Sequence, residues 1–344
     1  MYVDGDDLTS VANHIRTKGE TSAPLVFPGG FNDAIDAIET GGGDLELDSG
    51  AYLFYGGTRL GAMNELIKAL KQPNSLENMF YNAKLAGVEL DLSGVDGSAI
   101  TSLQQMMTGS NSYNFNTVSS IKLPSGMNEL IDLSSAFSYL KPVDGIALEV
   151  DLSGTNGSKI TNFGYMFSSS LVETVKLPNP CGPTTGYVNW GTAFYACSKL
   201  KNIDCTPIRY ISAAGQMFQG CILLEEIDLS KAQLAASTSS TFSGCTSLKR
   251  VALKPVSPNG GIGSNTFYNC SALEELILVD TSFRPALSNT NAFTNSGIAA
   301  GTGLIYVPDS LVATYQAATN WSTYASQIKG ISEHPDPWWA SAQA

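Results

Sequence analysis

The chain has 344 residues, 43% of them hydrophobic and 15% charged, and its 31 acidic against 19 basic residues give a net charge of −12. That composition belongs to a folded protein with a large core and excludes a disordered chain. The chain is acidic and contains no run of basic residues, which argues against nucleic acid as a partner. No apolar run approaches the roughly 20 residues that a membrane-spanning helix needs, so we expect no membrane insertion.

The first forty residues predict a two-helix attachment module. Two sets of apolar residues recur at helical spacing: Leu8, Val11 and Ile15, then Phe31, Ile35 and Ile38. Because two short helices bury too little surface to be stable alone, we expect residues 1–40 to dock onto a partner, another copy of the chain or the rest of the protein. The acidic start, with no apolar core after it, does not fit a secretory signal, so we expect synthesis in the cytoplasm.

Residues 41–75 predict a linker followed by a cap helix. The stretch ETGGGDLELDSG is rich in glycine and acids, which is typical of a linker. The stretch RLGAMNELIKAL then carries four apolar residues at helical spacing, Leu60, Met63, Ile67 and Leu70. We expect this helix to close the near end of the repeat region that follows.

Between residues 76 and 308 the sequence repeats itself. An aromatic or Met anchor returns every 24 to 30 residues, at Phe80, Met107, Phe137, Phe167, Phe194, Phe218, Phe242, Phe267 and Phe293. In the most regular copies Cys, Leu and two alternating apolar residues follow the anchor at fixed distances, and the alternation predicts a short strand. Since one such unit cannot bury its own apolar face, the repeat predicts an α/β solenoid of about nine rungs with short parallel strands.

Four cysteines stand three residues after their anchors, at Cys197, Cys221, Cys245 and Cys270. Stacking would set them in a line, whereas zinc prefers a tetrahedron, and no CxxC motif is present, so we expect neither a metal nor a cofactor. We predict that these cysteines are small buried apolar residues. Disulfide bonds between neighbouring rungs are an alternative, because stacked α-carbons lie within disulfide range. Cys181 belongs to a loop insertion and is predicted to be the more exposed thiol.

The residues that face outward from the strands alternate in charge over the first rungs. Their column runs Asp91, Lys122, Asp151, Lys176, Asp204, Asp228, Ala252 and Ile277. Because neighbouring strands are about 4.8 Å apart, we expect opposite charges in this column to pair with each other rather than with a ligand. The column becomes apolar at Ala252 and Ile277, with Val279 beyond, and this end is the candidate contact surface for a partner protein.

Residues 309–333 predict a helical cap on the open end of the solenoid. Asp309 is placed to cap a helix whose apolar residues follow at helical spacing. These residues are Leu311, Val312, Tyr315 and Ala318. Trp321 comes next and is predicted to be a core residue, since a solenoid end needs a lid with an apolar inner side.

Residues 334–344 are short and contain two prolines, which predicts a flexible tail. The tail carries Trp338 and Trp339, which are either exposed or docked on a surface. Both tryptophans are therefore candidate partner contacts.

The repeat F-x-x-C-x-x-L-x-x-[IV]-x-L, most nearly matched by GCTSLKRV and NCSALEEL, resembles the BspA-like class of bacterial leucine-rich repeats. The resemblance covers roughly residues 76–308, although Met107 replaces the Phe and Ala83, Leu140 and Ser170 replace the Cys in early rungs. It implies a curved, right-handed leucine-rich-repeat coil that binds proteins or surfaces without chemistry of its own. The stretch DLTSVANHIRTKGETSAPLVFPGGFNDAIDAI resembles an N-terminal module of tail-associated proteins of phages of Gram-positive hosts, which implies attachment to a virion.

Nothing in the sequence predicts a catalytic site. The two histidines, His14 and His334, lie at opposite ends of the chain, and no phosphate-binding loop or dinucleotide-binding motif is present. Our leading hypothesis is a non-enzymatic phage virion protein of the tail, fibre or baseplate. Its partners would be other tail proteins and a host cell-surface protein or glycan. The alternative is a bacterial cell-surface adhesin or protein-interaction scaffold.

Overall fold

The computed structural model describes residues 53–54, 67, 70, 72–109, 116–257, 261–279, 284–336 and 338–339. In this part the chain is a parallel β-solenoid with little helix. The nine anchors are separated by eight steps, so the coil makes about eight turns rather than the nine rungs predicted. The predicted attachment module, residues 1–40, lies outside the described residues.

Short strands recur once or twice in each turn. The strands are β1 (Ala86–Asp91), β2 (Asn116–Lys122), β3 (Leu140–Pro142), β4 (Glu149–Asp151), β5 (Thr174–Lys176), β6 (Asn202–Ile203), β7 (Tyr210–Ile211), β8 (Glu226–Leu234), β9 (Arg250–Pro255), β10 (Glu275–Leu278), β11 (Leu304–Val307) and β12 (Ile328–Gly330). They form three parallel sheets, with orders β1-β2-β3, β4-β5-β6 and β12-β11-β10-β9-β8-β7. Buried positions align from turn to turn, as in the row Ile227, Val251, Leu276, Ile305 and Ile328. Each strand thus keeps one apolar face inside the coil, as the alternating pattern predicted.

The anchors form one continuous internal column, which confirms the central prediction from the repeat. Every anchor from Phe80 to Phe293 is fully buried. From Phe137 to Phe293 consecutive rings are stacked, with centroids 5.0–5.8 Å apart and ring planes within 4–15° of parallel. Phe54 extends the column by stacking on Phe80 at 4.9 Å, a contact that the repeat pattern did not reveal.

The turn segments around the anchors follow one hydrogen-bonding rule. The anchor and the residues two before and two after it donate their N–H groups to carbonyls of the next turn. In the turn of Phe167 the N–H of the anchor reaches Ala193 O at 2.7 Å, and the N–H groups of Tyr165 and Ser169 bond to that turn in the same way. These two flanking residues have left-handed backbones, with φ of 57° and 58°, and the same conformation recurs at these positions along the coil. The coil therefore demands residues that tolerate positive φ at both positions.

The C-terminal cap is mostly not helical, contrary to the prediction. One short α-helix, α1 (Val312–Ala317), is followed by a 3-10 segment at Trp321–Gln327 and by β12, which adds a last parallel strand to the coil. Helix α1 ends because the next residue, Ala318, is extended. Its buried face contributes Tyr315 to the core.

Asp309 does not cap a helix through its side chain. Its Oδ1 instead accepts hydrogen bonds from the N–H and the hydroxyl of Ser332, at 3.2 and 2.9 Å. Trp321 is fully buried, and its Nε1–H donates to Pro285 O at 3.0 Å, which confirms its assignment to the core. The cap is therefore held by contacts to distant segments and not by helix formation.

Only part of the predicted N-terminal cap helix lies within the described residues. Ile67 and Leu70 are both buried in the main core, and the N–H of Leu70 bonds to Ile67 O at 3.0 Å. Leu60 and Met63 lie outside the described residues. No helix in the described part of the chain has the length and apolar character that a membrane span requires.

Candidate functional site

The repeated cysteines have a structural role that the sequence pattern did not specify. Each thiol donates a hydrogen bond to the anchor carbonyl of the preceding turn, at 3.0 or 3.1 Å: Cys197 to Phe167, Cys221 to Phe194, Cys245 to Phe218 and Cys270 to Phe242. Ser170 takes the same position one turn earlier and donates to Leu140 O at 3.1 Å. In these five turns a small side chain at this position donates to the backbone of the preceding turn, whereas Ala83 and Leu140 occupy the same position in earlier turns without a donor.

All six cysteines are buried and free. Burial raises the pKa of the Cys245 and Cys221 thiols well above their usual value, so these thiols stay protonated and unreactive near neutral pH. The prediction that Cys181 is the exposed thiol is wrong, because its side chain is fully buried and burial raises its pKa too. The loop insertion is drawn into the coil, since the Cys181 N–H bonds to Pro207 O at 2.9 Å.

The first four charges of the column on the strand face pair with each other, as predicted, whereas Asp204 and Asp228 accept hydrogen bonds from the backbone of the turns that follow them. Lys122 Nζ lies 2.9 Å from Asp91 Oδ2 and 3.3 Å from Glu89 Oε1 on the neighbouring strand. Lys176 Nζ lies 3.1 Å from Asp151 Oδ2 in the equivalent place. Further pairs join Lys159 to Glu129, Lys201 to Glu173, Lys249 to Glu225 and Arg250 to Glu226. These charged side chains are therefore engaged with one another, although Lys122 and Lys176 each face two carboxylates.

The acids in the DLSG stretches serve the turns that follow the strands. Asp91 Oδ1 accepts from the N–H and the hydroxyl of Ser93, at 2.9 and 2.6 Å. Hydrogen bonds from Ser93 first and from Lys122 second lower the pKa of the Asp91 carboxyl to about 2. Across the described residues no group of three or more His, Cys, Asp or Glu side chains could hold a metal ion. These carboxylates thus act as turn caps and ion-pair partners.

The apolar end of the strand face is covered by the chain's own C-terminal tail, so it is not the open surface that we predicted. Ala252 and Ile277 are fully buried and form a small cluster with Tyr306 and Trp339. Val279 packs against this cluster. A partner can reach this stripe only by displacing the tail.

Polar contacts hold the tail in place. The Nε1–H of Trp338 donates to Glu275 Oε2 at 3.2 Å, and the Arg250 guanidinium lies over the Trp338 ring at 5.1 Å from its centroid. His334 is buried, and its Nε2 lies 3.3 Å from the same Glu275 oxygen. Trp339 packs edge-on against His334, with centroids 4.7 Å apart. In its described residues the predicted flexible tail is therefore docked, and Trp338 and Trp339 contact the solenoid rather than solvent.

An open groove of about 440 Å³ lies on the turn segments, away from the paired charges. It crosses six successive turns, from the turn of Phe80 to that of Phe218. Its lining consists of Tyr81, Gln105, Thr108, Gly109, Ser135, Ser138, Tyr139, Tyr165, Ser168, Ser169, Thr192, Tyr195 and Gln216. Every one of these residues is uncharged at neutral pH, and four are tyrosines. None is an aliphatic hydrophobic residue.

Several lining residues occupy the left-handed turn positions. Tyr165 (φ 57°), Tyr139 (φ 53°) and the β-branched Thr192 (φ 55°) all hold backbones that such residues rarely adopt. Tyr165 is also the most exposed of the groove tyrosines, with 56% of its surface accessible. Two hydroxyls line the floor and point inward, since Thr108 and Ser138 donate to backbone carbonyls of the next turn at 2.5 Å.

Sequence reasoning missed this groove. The lining residues are two before, one after or two after an anchor, so turns about 27 residues apart contribute to one surface. A signal was present in the sequence: at the position two before the anchor, Tyr165 stands where later turns carry Ser240 and Asn265. The repeat is defined by its apolar residues, and its pattern does not specify the polar residues between them.

The comparisons with known proteins bear on the repeat region. Residues 164–299 match the BspA type leucine-rich repeat region, in 6 copies. No curated protein matches the chain. The matched residues include all four turns that carry the Phe and Cys pair, and the structure continues the same coil on both sides of them. Residues 164–299 of this chain are therefore similar to BspA-type leucine-rich-repeat regions.

Proposed function

We propose that this protein is a non-enzymatic recognition protein of adhesin type, which binds its partner in the groove on the turn segments. A leucine-rich-repeat region indicates a protein-interaction or adhesin-like role. The observation that carries the proposal is the state of the outer surfaces. Most charges of the strand face lie in ion pairs and the apolar end of that face is covered by the tail, whereas the groove is open and exposes 56% of Tyr165.

The chemistry of the groove supports binding without catalysis. Among the described residues its lining contains no carboxylate, imidazole, thiol or amine, so its hydroxyl groups have no general base beside them to activate them as nucleophiles. The cysteines are buried with their thiols engaged in hydrogen bonds or apolar contacts. His334 is enclosed by the docked tail, and His14 lies outside the described residues.

Binding to whole cells and coated surfaces tests the proposal. Labelled purified protein would be applied to a panel of bacterial cells and to surfaces coated with extracellular-matrix proteins. We expect binding by the wild type and a loss of about tenfold in affinity for Tyr165→Ala, the effect of removing one good aromatic contact. The matched control is Lys122→Ala on the strand face, which should bind as the wild type does. Undiminished binding by Tyr165→Ala would remove the groove from the proposal.

A second candidate function is the virion role, favoured by the resemblance of residues 7–38 to a phage tail module. In this version the N-terminal segment, with Leu8 and Phe31 on its two apolar faces, attaches the protein to other tail proteins and the solenoid faces the host. The adhesin version places the same solenoid on a bacterial cell surface.

Localisation separates the two versions. Prophage particles would be induced in the source strain and purified on a density gradient, and intact cells would be treated with protease to release surface peptides. Mass spectrometry that finds the protein in particles at a fixed ratio to tail proteins supports the virion version. Peptides found in the surface fraction, with none in the particles, support the adhesin version.

A further inference from the structure

The groove combines two kinds of side chain, tyrosines and small neutral polar residues. Four tyrosines supply flat faces with a polar edge, and the Ser, Thr and Gln side chains supply neutral donors and acceptors. Sugars present matching chemistry, because a pyranose ring has an apolar C–H face and a rim of hydroxyl groups. Stacking on a tyrosine and hydrogen bonding to hydroxyls and amides would satisfy both.

Other classes of ligand fit the lining less well. Protein interfaces are enriched in Met and Arg as well as in aromatic residues, whereas the described lining of this groove has tyrosines but no Met, no Arg and no aliphatic side chain. Nucleic acids and acidic polysaccharides call for Lys or Arg, and neither lines the groove of this chain, whose net charge is −12. The lining therefore favours an uncharged sugar.

The groove also has the periodicity of a linear chain. Successive turns beneath it are spaced by the ring stacking of the column, 5.0 Å from Phe137 to Phe167 and 5.7 Å from Phe167 to Phe194. This spacing is comparable with the length of one pyranose unit in an extended oligosaccharide. Six turns line the groove, and its volume of about 440 Å³ suits a small-molecule ligand or a short polymer segment.

The backbone gives an independent reason to treat these side chains as selected. Tyr165 and Thr192 hold left-handed conformations that Asn or Gly would adopt at lower cost. Backbone strain of this kind is typical of functional positions, where a particular side chain is retained although its backbone conformation is unfavourable.

We infer that the groove binds a linear, uncharged oligosaccharide, with Tyr165 and Tyr195 stacking against sugar rings and Thr192 and Gln216 bonding to hydroxyls. The inference rests on the proposed recognition function and names its ligand class. The two tyrosines come from neighbouring turns, so they would contact consecutive sugars.

Isothermal titration calorimetry on the full chain tests the ligand class. The probes are cellohexaose, chitohexaose, maltohexaose and mannohexaose, with hexagalacturonate as the anionic comparison. At least one neutral probe should bind, and Tyr165→Ala and Tyr195→Ala should each weaken it about tenfold, which is about 1.4 kcal/mol. Hexagalacturonate should not bind, because no cation lines the groove.

Tyr268→Ala is the matched control. Tyr268 follows its anchor as Tyr195 follows Phe194, and it is 37% exposed, but it lies outside the groove. It should leave affinity unchanged. Tyr165→Asn guards against misfolding, since Asn tolerates the left-handed backbone while removing the aromatic ring. Equal loss from Tyr268→Ala, or binding of every neutral probe unaffected by Tyr165→Asn, would overturn the inference.

Cell binding after chemical treatment separates this inference from the proposed function. Periodate destroys sugar diols, and protease removes surface proteins. Binding that is lost after periodate and kept after protease supports the oligosaccharide. Binding that survives periodate and is lost after protease, with no neutral probe bound in the calorimeter, overturns the sugar assignment and leaves the recognition function standing. No binding to any cell, surface or probe overturns both.

Discussion

The turns that line the groove and the turns that follow them share one backbone but differ in the residues at their left-handed positions. Groove turns use Asn78, Asn82, Gln105, Ser135, Tyr139, Tyr165, Ser169, Thr192, Ala196, Gln216 and Gly220 there. Later turns use Ser240, Gly244, Asn265, Asn269 and Asn295. Except for Ser240, the later residues are Gly or Asn, which tolerate positive φ best. Most of the groove residues belong to other types, which tolerate it less well. The coil geometry thus fixes the backbone conformation at these positions. The residue types in the groove are therefore not explained by a preference for that conformation.

The column of anchors should behave alike in both regions, and breaking it is the largest expected effect. Phe167→Ala, under the groove, and Phe242→Ala, in the later turns, should each lower the free energy of unfolding by about 3–5 kcal/mol by leaving a cavity. Both rings are fully buried between stacked neighbours. Denaturant melts measure the cost.

Phe242→Met is the control for the column. It should lower the free energy of unfolding by under about 1.5 kcal/mol, because Met fills a similar volume and Met107 already holds an anchor position. If Phe167→Ala has far less effect than Phe242→Ala, the groove turns are loosely packed, and their comparison with the later turns loses its basis.

The donor three residues after the anchor gives a smaller test of the same comparison. Cys245→Ala should lower the free energy of unfolding by about 1–2 kcal/mol, since it removes buried sulfur and a hydrogen bond to Phe218 O. Cys245→Ser should have a smaller effect, because a hydroxyl can still donate to the backbone of the preceding turn, as Ser170 does to Leu140 O. Thermal and urea unfolding compare the two variants. A larger loss for Ser than for Ala would show that the position requires sulfur for its size.

A reciprocal exchange sharpens the comparison of left-handed positions. Thr192 and Asn265 both stand two residues before an anchor, with φ of 55° and 56°. Thr192→Asn should raise the free energy of unfolding by about 1 kcal/mol and Asn265→Thr should lower it by about as much, since a β-branched residue is disfavoured at positive φ. Urea melts of both variants measure the difference. Equal and negligible effects would mean that the groove residues carry no backbone strain.

The strand-face ion pairs should give the smallest effect and the same one in both regions. Lys122→Ala in the early turns and Lys249→Ala in the later turns remove exposed pairs that solvent and salt screen. We expect neither variant to change the urea midpoint by more than the error of measurement. A large, salt-sensitive loss from Lys122→Ala alone would show that the early turns depend on their charges.

Much of the fold could be predicted because it follows from short-range periodicity. The spacing of Phe242, Cys245 and Leu248 places them on one inner side of every turn, and stacking then buries them. The sequence-based predictions for individual residues were wrong where a contact joins segments that are distant in the chain. Cys181 is buried because its loop bridges to Pro207, and Asp309 bonds to Ser332 instead of capping a helix.

None of the groove was predicted from the sequence, although the positions of its residues relative to the anchors were readable. Tyr165 and Tyr195 stand at positions where the repeat pattern requires no particular residue. The pattern therefore does not distinguish a tyrosine there from any other surface residue. Only when turns are stacked do these side chains form one surface. The tail likewise carries two tryptophans whose target, the stripe around Ile277, lies about sixty residues earlier in the chain.

By itself the amino-acid sequence determined the coil, its internal phenylalanine column, the inert thiols and the self-paired charges, because each depends on a residue type returning at a nearly constant interval. The tertiary structure decided which surfaces remain available. It covers the apolar stripe at Ala252 and Ile277 with the tail and leaves the tyrosine groove open. The physical reason is that burial inside one turn is fixed by local alternation, whereas exposure depends on what several turns and the chain end bring together in space.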